Sequence, residues 1–178
     1  RSPEHWLVGT VGRMDPVKDQ CTLARSFVLA LRMNPLAQDR MRLVIVGEGP
    51  SRLACQKLLG EAGLAHLAWL PGERHDVDAI MRALDVFVLP SKNEGISNTI
   101  LEALASERSV VATRVGGPPE FVPSEAGVLV DPTSVEAIAE AFRHWASNKR
   151  SVVGQPATVF RQLVEWFRRL ISAMPEDV

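Results

Sequence analysis

Val86-Phe87-Val88-Leu89-Pro90-Ser91, continued by Lys92-Asn93-Glu94-Gly95-Ile96-Ser97-Asn98-Thr99-Ile100-Leu101-Glu102 and Ala103-Leu104-Ala105, is the stretch on which the fold turns. Its opening apolar run predicts a buried strand that closes in a Pro-Ser turn. Its far end predicts a helix, and Gly95 stands in the turn between them. A strand, a glycine-bearing turn and a helix favour anions, because free backbone N–H groups and the helix dipole converge there. Two carboxylates, Glu94 and Glu102, flank that turn eight residues apart. They repel phosphate but accept hydrogen bonds from hydroxyls. On a continuous helix they would stand about 12 Å apart, so they share neither a proton nor a metal and serve two separated points. A ligand with hydroxyls, then a diphosphate, then hydroxyls has the outline of a nucleotide sugar.

Outward from this unit, apolar runs alternate with helical patterns along the chain, which predicts a parallel sheet with crossover helices. Strands are expected near 6–12, 42–47, 66–70, 85–89, 109–113 and 127–130, and helices near 19–34, 50–62, 76–84, 98–107 and 133–147. The fold class is α/β, a Rossmann-like, doubly wound, parallel six-stranded sheet with flanking helices, whose ligands sit at the carboxyl ends of the strands. Each glycine-rich turn follows a strand, so these turns converge on that edge. The domain is expected over 1–150, after which the pattern breaks at Gly154-Gln155-Pro156. A last helix is expected over 156–173, where Phe160, Leu163, Val164, Phe167, Leu170 and Ile171 form one apolar stripe. On the pattern alone, that stripe packs on the sheet domain.

The 178 residues suit one domain with a full core. Hydrophobic residues at 46% and charged residues at 23% are ordinary for a globular protein. A net charge of −1 provides no basic field to attract nucleic acid or an anionic membrane. No apolar run reaches the ~20 residues of a membrane span. Cys21 and Cys55 fall inside expected helices without metal-ligand spacing and are taken as reduced core residues. The polar lead Arg1-Ser2-Pro3-Glu4-His5 has the character of the end of an interdomain linker.

Taken residue by residue, several readings compete. Thr99-Ile100-Leu101-Glu102 also fits a capping box, and Glu94 alone fits a solvated loop acid. Asp76-Val77-Asp78 invites a divalent cation, but acids opening a helix also complement its dipole. The histidines His5, His66, His75 and His144 are scattered without ligand spacing, so no metal site is expected. Gly47-Glu48-Gly49-Pro50 matches half of a dinucleotide fingerprint, but Arg52 stands where its third glycine belongs. Arg13 and Lys18 follow the first strand, where two fixed cations can clamp a diphosphate in place of a metal. Taken singly, each is a surface cation.

The run Glu94 to Glu102 resembles the donor-site signature of retaining glycosyltransferases with the GT-B fold, family 4 ("group 1"). The resemblance extends over roughly residues 6 to 145 through Gly9-Thr10-Val11-Gly12-Arg13 with Lys18, Leu43 to Pro50, Trp69-Leu70-Pro71-Gly72 and Val110 to Glu120. Local motifs are most similar to bacterial transferases that build exopolysaccharide. The resemblance implies the C-terminal, donor-binding half of such an enzyme, moving a sugar from a nucleotide-diphosphate sugar to an acceptor hydroxyl with retention. It implies Glu94, Arg13 and Lys18 as catalytic residues. It implies substrate contacts from Gly12, Arg13, Lys18, Gly95, Ile96, Ser97, Asn98, Thr99 and Glu102, with Glu102 on the ribose and Pro71 and Gly72 beside the base. It implies no cofactor and no metal, no nucleic acid, and an N-terminal acceptor-binding domain as the partner of the last helix. The expected location is cytoplasmic, with the full-length protein able to lie at the inner membrane face. One departure stands out: the family usually has glycine after its lysine, and here Asp19 follows Lys18, where it is expected to cap the next helix. The rival readings are a non-catalytic nucleotide-binding module and a nucleotide-sugar epimerase of similar fold.

Overall fold

Side chains that alternate across a strand can supply two cores at once, and β4 (Val86–Leu89) does so. Val86 and Val88 enter one apolar cluster, while Phe87 and Leu89 enter the other. The computed structural model describes residues 4–147. Five further strands flank β4: β1 (Trp6–Val11), β2 (Met41–Val46), β3 (Ala68–Gly72), β5 (Ser109–Thr113) and β6 (Gly127–Val130). All pairs are parallel, in the order β3-β2-β1-β4-β5-β6. The sheet is thus doubly wound, as the alternation of apolar runs predicts.

Helices α1 (Gln20–Met33), α2 (Arg52–Glu61) and α6 (Val135–Ser147) cover one face, with Phe27, Leu59 and Phe142 fully enclosed. Helices α3 (Val77–Ala83), α4 (Asn98–Ala105) and α5 (Pro118–Phe121) cover the other through Met81, Ile100 and Phe121. Strand order reverses between β1 and β4, so the chain leaves these neighbouring strands toward opposite faces of the sheet.

Two elements depart from the sequence expectation. The third strand starts at Ala68 and ends at Gly72, later than the expected 66–70, because Ala65–Leu67 wind into a 3₁₀ turn. Pro71 is tolerated inside it because β3 is an edge strand and its register on β2 shifts between Val44 and Val46. The four-residue α5 begins with two prolines after Gly117 and is too short to show a helical period. Cys21 and Cys55 are free thiols on α1 and α2 with their sulfurs 3.6 Å apart. Burial, then the neighbouring Cys21, pushes the Cys55 thiol up to about 12. The helix expected over 156–173 and the break before it lie outside the described residues.

Phe87 is fully enclosed at the centre of the second core, whereas Leu36 is 81% exposed. In chemical denaturation, Phe87→Ala is expected to cost about 3–5 kcal/mol, and Leu36→Ala less than about 0.5 kcal/mol.

Candidate functional site

The loop after β1 is built by interlocking with the turn after β2. Gly12 donates its N–H to the Val46 carbonyl at 2.9 Å, and Met14 donates to Glu48 at 2.7 Å. Gly47 and Gly49 have φ of +138° and +146°, and a Cβ on either would strike the Gly12 or Met14 carbonyl. Here the glycines serve backbone contact between two turns.

Asp15 organises the rest of this loop. Its carboxylate accepts from the backbone N–H groups of Val17 (2.9 Å) and Lys18 (3.0 Å) and from Arg13 Nε (2.7 Å). The bond from Lys18, with those from Arg13 and Val17, holds its carboxyl below the usual value of 3.8 against the opposing effect of burial. Arg13 is thereby aimed while its side chain stays 79% exposed.

The loop after β4 meets this one. Lys18 Nζ donates to Glu94 Oε2 at 2.7 Å, across 76 residues of sequence. Ser91 Oγ donates to the same oxygen at 3.0 Å, and Thr113 Oγ1 on β5 donates to the Ser91 carbonyl at 2.6 Å. The Glu94 side chain is only 8% exposed, so it is no solvated loop acid. Beneath it lies the Gly116-Gly117 turn. Gly116, at φ +57°, and Gly117 pack against the carbonyls of Glu94 and Gly95, where any Cβ would collide.

Asp19 occupies the N-cap position of α1, but its side chain does not cap the helix backbone as expected. It adopts φ +49°, a left-handed conformation that glycine reaches at little cost. Its carboxylate instead accepts from Thr22 Oγ1 at 2.8 Å and pairs with Lys92 Nζ at 3.5 Å.

The capping box at Thr99 to Glu102 does not form either. Ser97 is the N-cap of α4, its Oγ accepting from Ile100 N at 3.4 Å, which places Thr99 inside the helix. Glu102 is therefore left exposed on α4, where it borders a 470 Å³ cavity with His75, Val77, Asp78 and Met81. At the start of α4, Gly95, Ile96 and Asn98 are also exposed.

A second cavity of 460 Å³ lies along the ends of the first three strands, bordered by Gly12, Arg13, Gly47, Glu73, Arg74 and Val77. Gly72 is buried at the end of β3, with its carbonyl accepting from Gly47 N at 2.8 Å. Neither it nor Pro71 belongs to that lining, whose wall here is Glu73 and Arg74. Glu73, Val77 and His75 carry no local signal in the sequence; the run of chain from the end of β3 into α3 brings them beside the ends of β1 and β2 and beside α4. Asp76 and Asp78 are each bonded to an arginine, Arg74 and Arg82, at 2.8 Å. Those arginine bonds hold both carboxyls below their usual value.

The edge thus offers cations, exposed residues at a helix start, the enclosed Glu94 and an exposed Glu102 that borders one of the two cavities. Comparison with known proteins assigns the family. Residues 6–148 match the family model described as Glycosyl transferases group 1. The chain is 35% identical over 165 residues to a GDP-mannose-dependent alpha-mannosyltransferase of Mycolicibacterium smegmatis, an alignment of 84% of this chain and 39% of that protein. It is 33% identical to a D-inositol 3-phosphate glycosyltransferase of Saccharomonospora viridis, covering 94% of this chain and 41% of the relative. The chain therefore spans about two-fifths of the length of these relatives. Among solved structures, the C-terminal domain of a glycosyl transferase group 1 protein (LpcC) from Francisella tularensis superposes with a TM-score of 0.78 at 24% identity, covering 90% of this chain and 85% of that domain.

Two substitutions test how the site is built. Because Asp15 has a lowered carboxyl in the folded state, its stabilisation is complete above its ordinary value of 3.8 and is lost as pH falls through the folded value. Asp15→Asn is accordingly expected to be less stable than the unaltered chain at pH 7, with the two denaturation curves converging at the acid end. Gly116→Ala is expected to lower stability by roughly 1–3 kcal/mol. It should also displace the Glu94 loop, read as faster hydrogen exchange at Gly117, whose N–H is bonded to the Glu94 carbonyl.

Proposed function

Because the chain belongs to the group 1 glycosyl transferases, we propose that it is the donor-binding half of a retaining glycosyltransferase acting on a nucleotide-diphosphate sugar. The observation that carries this reading is the meeting of Lys18 and Glu94 at 2.7 Å. A cation suited to phosphate and a carboxylate suited to sugar hydroxyls stand side by side at the reversal of strand order. The known chemistry of relatives supports it: one is named as GDP-mannose-dependent, and a structural neighbour of the same fold, Alr3699/HepE of Anabaena, was solved with UDP.

In this reading Arg13 and Lys18 hold the diphosphate and stabilise it as it leaves. Gly12 allows its close approach, and the start of α4 from Gly95 to Thr99 supplies N–H groups and the positive end of the helix dipole. Glu94 accepts from hydroxyls of the transferred sugar. Glu102 accepts from the ribose, and the base lies just past Pro71 and Gly72, in the cavity walled by Glu73 and Arg74. Departure of the diphosphate leaves an oxocarbenium-like sugar that the acceptor hydroxyl attacks from the same face. The departing phosphate oxygen takes the acceptor proton.

No divalent cation is needed for this arrangement, since the two cations fill that role. The acceptor wall comes from an N-terminal domain. The setting is bacterial polysaccharide or glycoconjugate synthesis, on the cytoplasmic side with peripheral contact at the membrane. Among the described residues no helix is long and apolar enough to cross a membrane.

Calorimetric titration with UDP, GDP, ADP and their sugars tests this. Binding of one nucleotide is expected in the presence of a chelator, weakened about tenfold or more by Arg13→Ala and by Glu102→Ala, as for hydrogen bonds involving charged groups. Sugar transfer is expected only when the acceptor domain is supplied. Failure to bind any of the nucleotides would sink the donor-site reading.

A further inference from the structure

The two loops that meet at the site are joined by charge pairs that cross. Lys18, on the first loop, reaches Glu94 on the second at 2.7 Å. Lys92, on the second, reaches back to Asp19 on the first at 3.5 Å. Between them Lys92 donates its backbone N–H to the Val17 carbonyl at 2.8 Å. Asp19 is 6% exposed, and its carboxylate also holds the Thr22 hydroxyl at the start of α1.

We propose that Asp19 is a positioning residue for Glu94: through Lys92 it fastens the loop after β4 to the loop after β1, so that Glu94 keeps its place when Lys18 turns to phosphate. This rests on the donor-site reading above. The strained conformation points the same way. Glycine adopts φ of +49° at little cost, whereas an aspartate there is held against a backbone preference. Its carboxylate gives the helix backbone no cap that could offset this, and both of its side-chain partners, Thr22 and Lys92, tie the two loops and α1 together.

The two pairs have different fates on ligand binding. Lys18 can serve Glu94 or a phosphate, so the arriving diphosphate weakens the first pair. The second involves a buried carboxylate and an ammonium outside the proposed phosphate contacts, and it remains closed. Loss of the second pair should therefore be felt chiefly by the part of the ligand that Glu94 touches, which is the sugar.

The test compares a bare nucleotide with its sugar: UDP with UDP-glucose, and GDP with GDP-mannose, by calorimetry. The variants are Asp19→Asn, which still accepts from Thr22 and tolerates the left-handed backbone, and Lys92→Met at a half-exposed site. Each is expected to weaken the nucleotide sugar about threefold to tenfold while leaving the bare nucleotide within about twofold, as befits one partly exposed pair. The double variant should be no worse than either single one, and Lys92→Arg should restore binding. Equal losses on both ligands, additive losses in the double variant, or no loss at all would overturn the positioning role while leaving the donor site standing. An unaltered chain that binds none of these ligands, nor ADP and ADP-glucose, would overturn the donor site and the positioning role together.

Discussion

The contact between Lys18 and Glu94 joins the two halves of this fold at the place where they diverge. β1 and β4 are neighbours in the sheet, yet their helices leave to opposite faces, so nothing in the sheet itself ties the loops that follow them. The ion pair does so, and its burial gives it weight. With Lys18 at 30% and Glu94 at 8% exposure, removing one partner leaves a largely desolvated charge, a change far costlier than losing a surface pair. Lys57 and Glu61, at 76% and 63% exposure, show the contrast: such a pair contributes about 0–1 kcal/mol. Around Glu94 the other supports fall into line. Ser91 bonds the carboxylate, Thr113 bonds Ser91, and the Gly116-Gly117 turn supplies a floor that no side chain could share.

Charge at the two loops is balanced before any ligand arrives. Arg13, Lys18 and Lys92 are each paired, with Asp15, Glu94 and Asp19 respectively. In the proposed donor site an incoming diphosphate would therefore meet cations already engaged, and would bind by sharing or displacing carboxylates rather than by filling an empty basic pocket. The gain would be preorganisation: the cations are paired in the free protein, so less side-chain freedom would be lost on binding. The Asp15 turn illustrates this, since one carboxylate holds two backbone N–H groups and the Arg13 guanidinium at once.

The departure of Asp19 from the family's glycine becomes intelligible at the level of backbone geometry. The position requires a left-handed conformation, which glycine reaches without strain and which aspartate tolerates better than most residues. Exchanging glycine for aspartate keeps the turn and adds a carboxylate, and Lys92 on the loop after β4 meets it. The same logic separates Glu102 from a capping role. Once Ser97 caps α4, Thr99 is already helical and Glu102 has no backbone amide to serve, so its carboxylate is free to face a ligand.

The sequence by itself determined the alternation of strands and helices, the parallel doubly wound class and the carboxyl edge as the place where the glycine-bearing turns gather. These follow from local periodicity and from glycines placed after strands, both of which are expressed within a few neighbouring residues. It also determined which charged residues could matter, since Arg13, Lys18, Glu94 and Glu102 all fall on that edge. Only the tertiary structure decided how they are partnered. That Lys18 meets Glu94, that Asp19 turns to Lys92, and that Glu73, His75 and Val77 border cavities depends on which loops the strand order brings together. Contacts across 76 residues leave no trace in spacing. The late start of β3 was hidden for a related reason: whether Pro71 can lie in a strand depends on whether that strand has a neighbour on both sides, a property of the sheet and not of the segment.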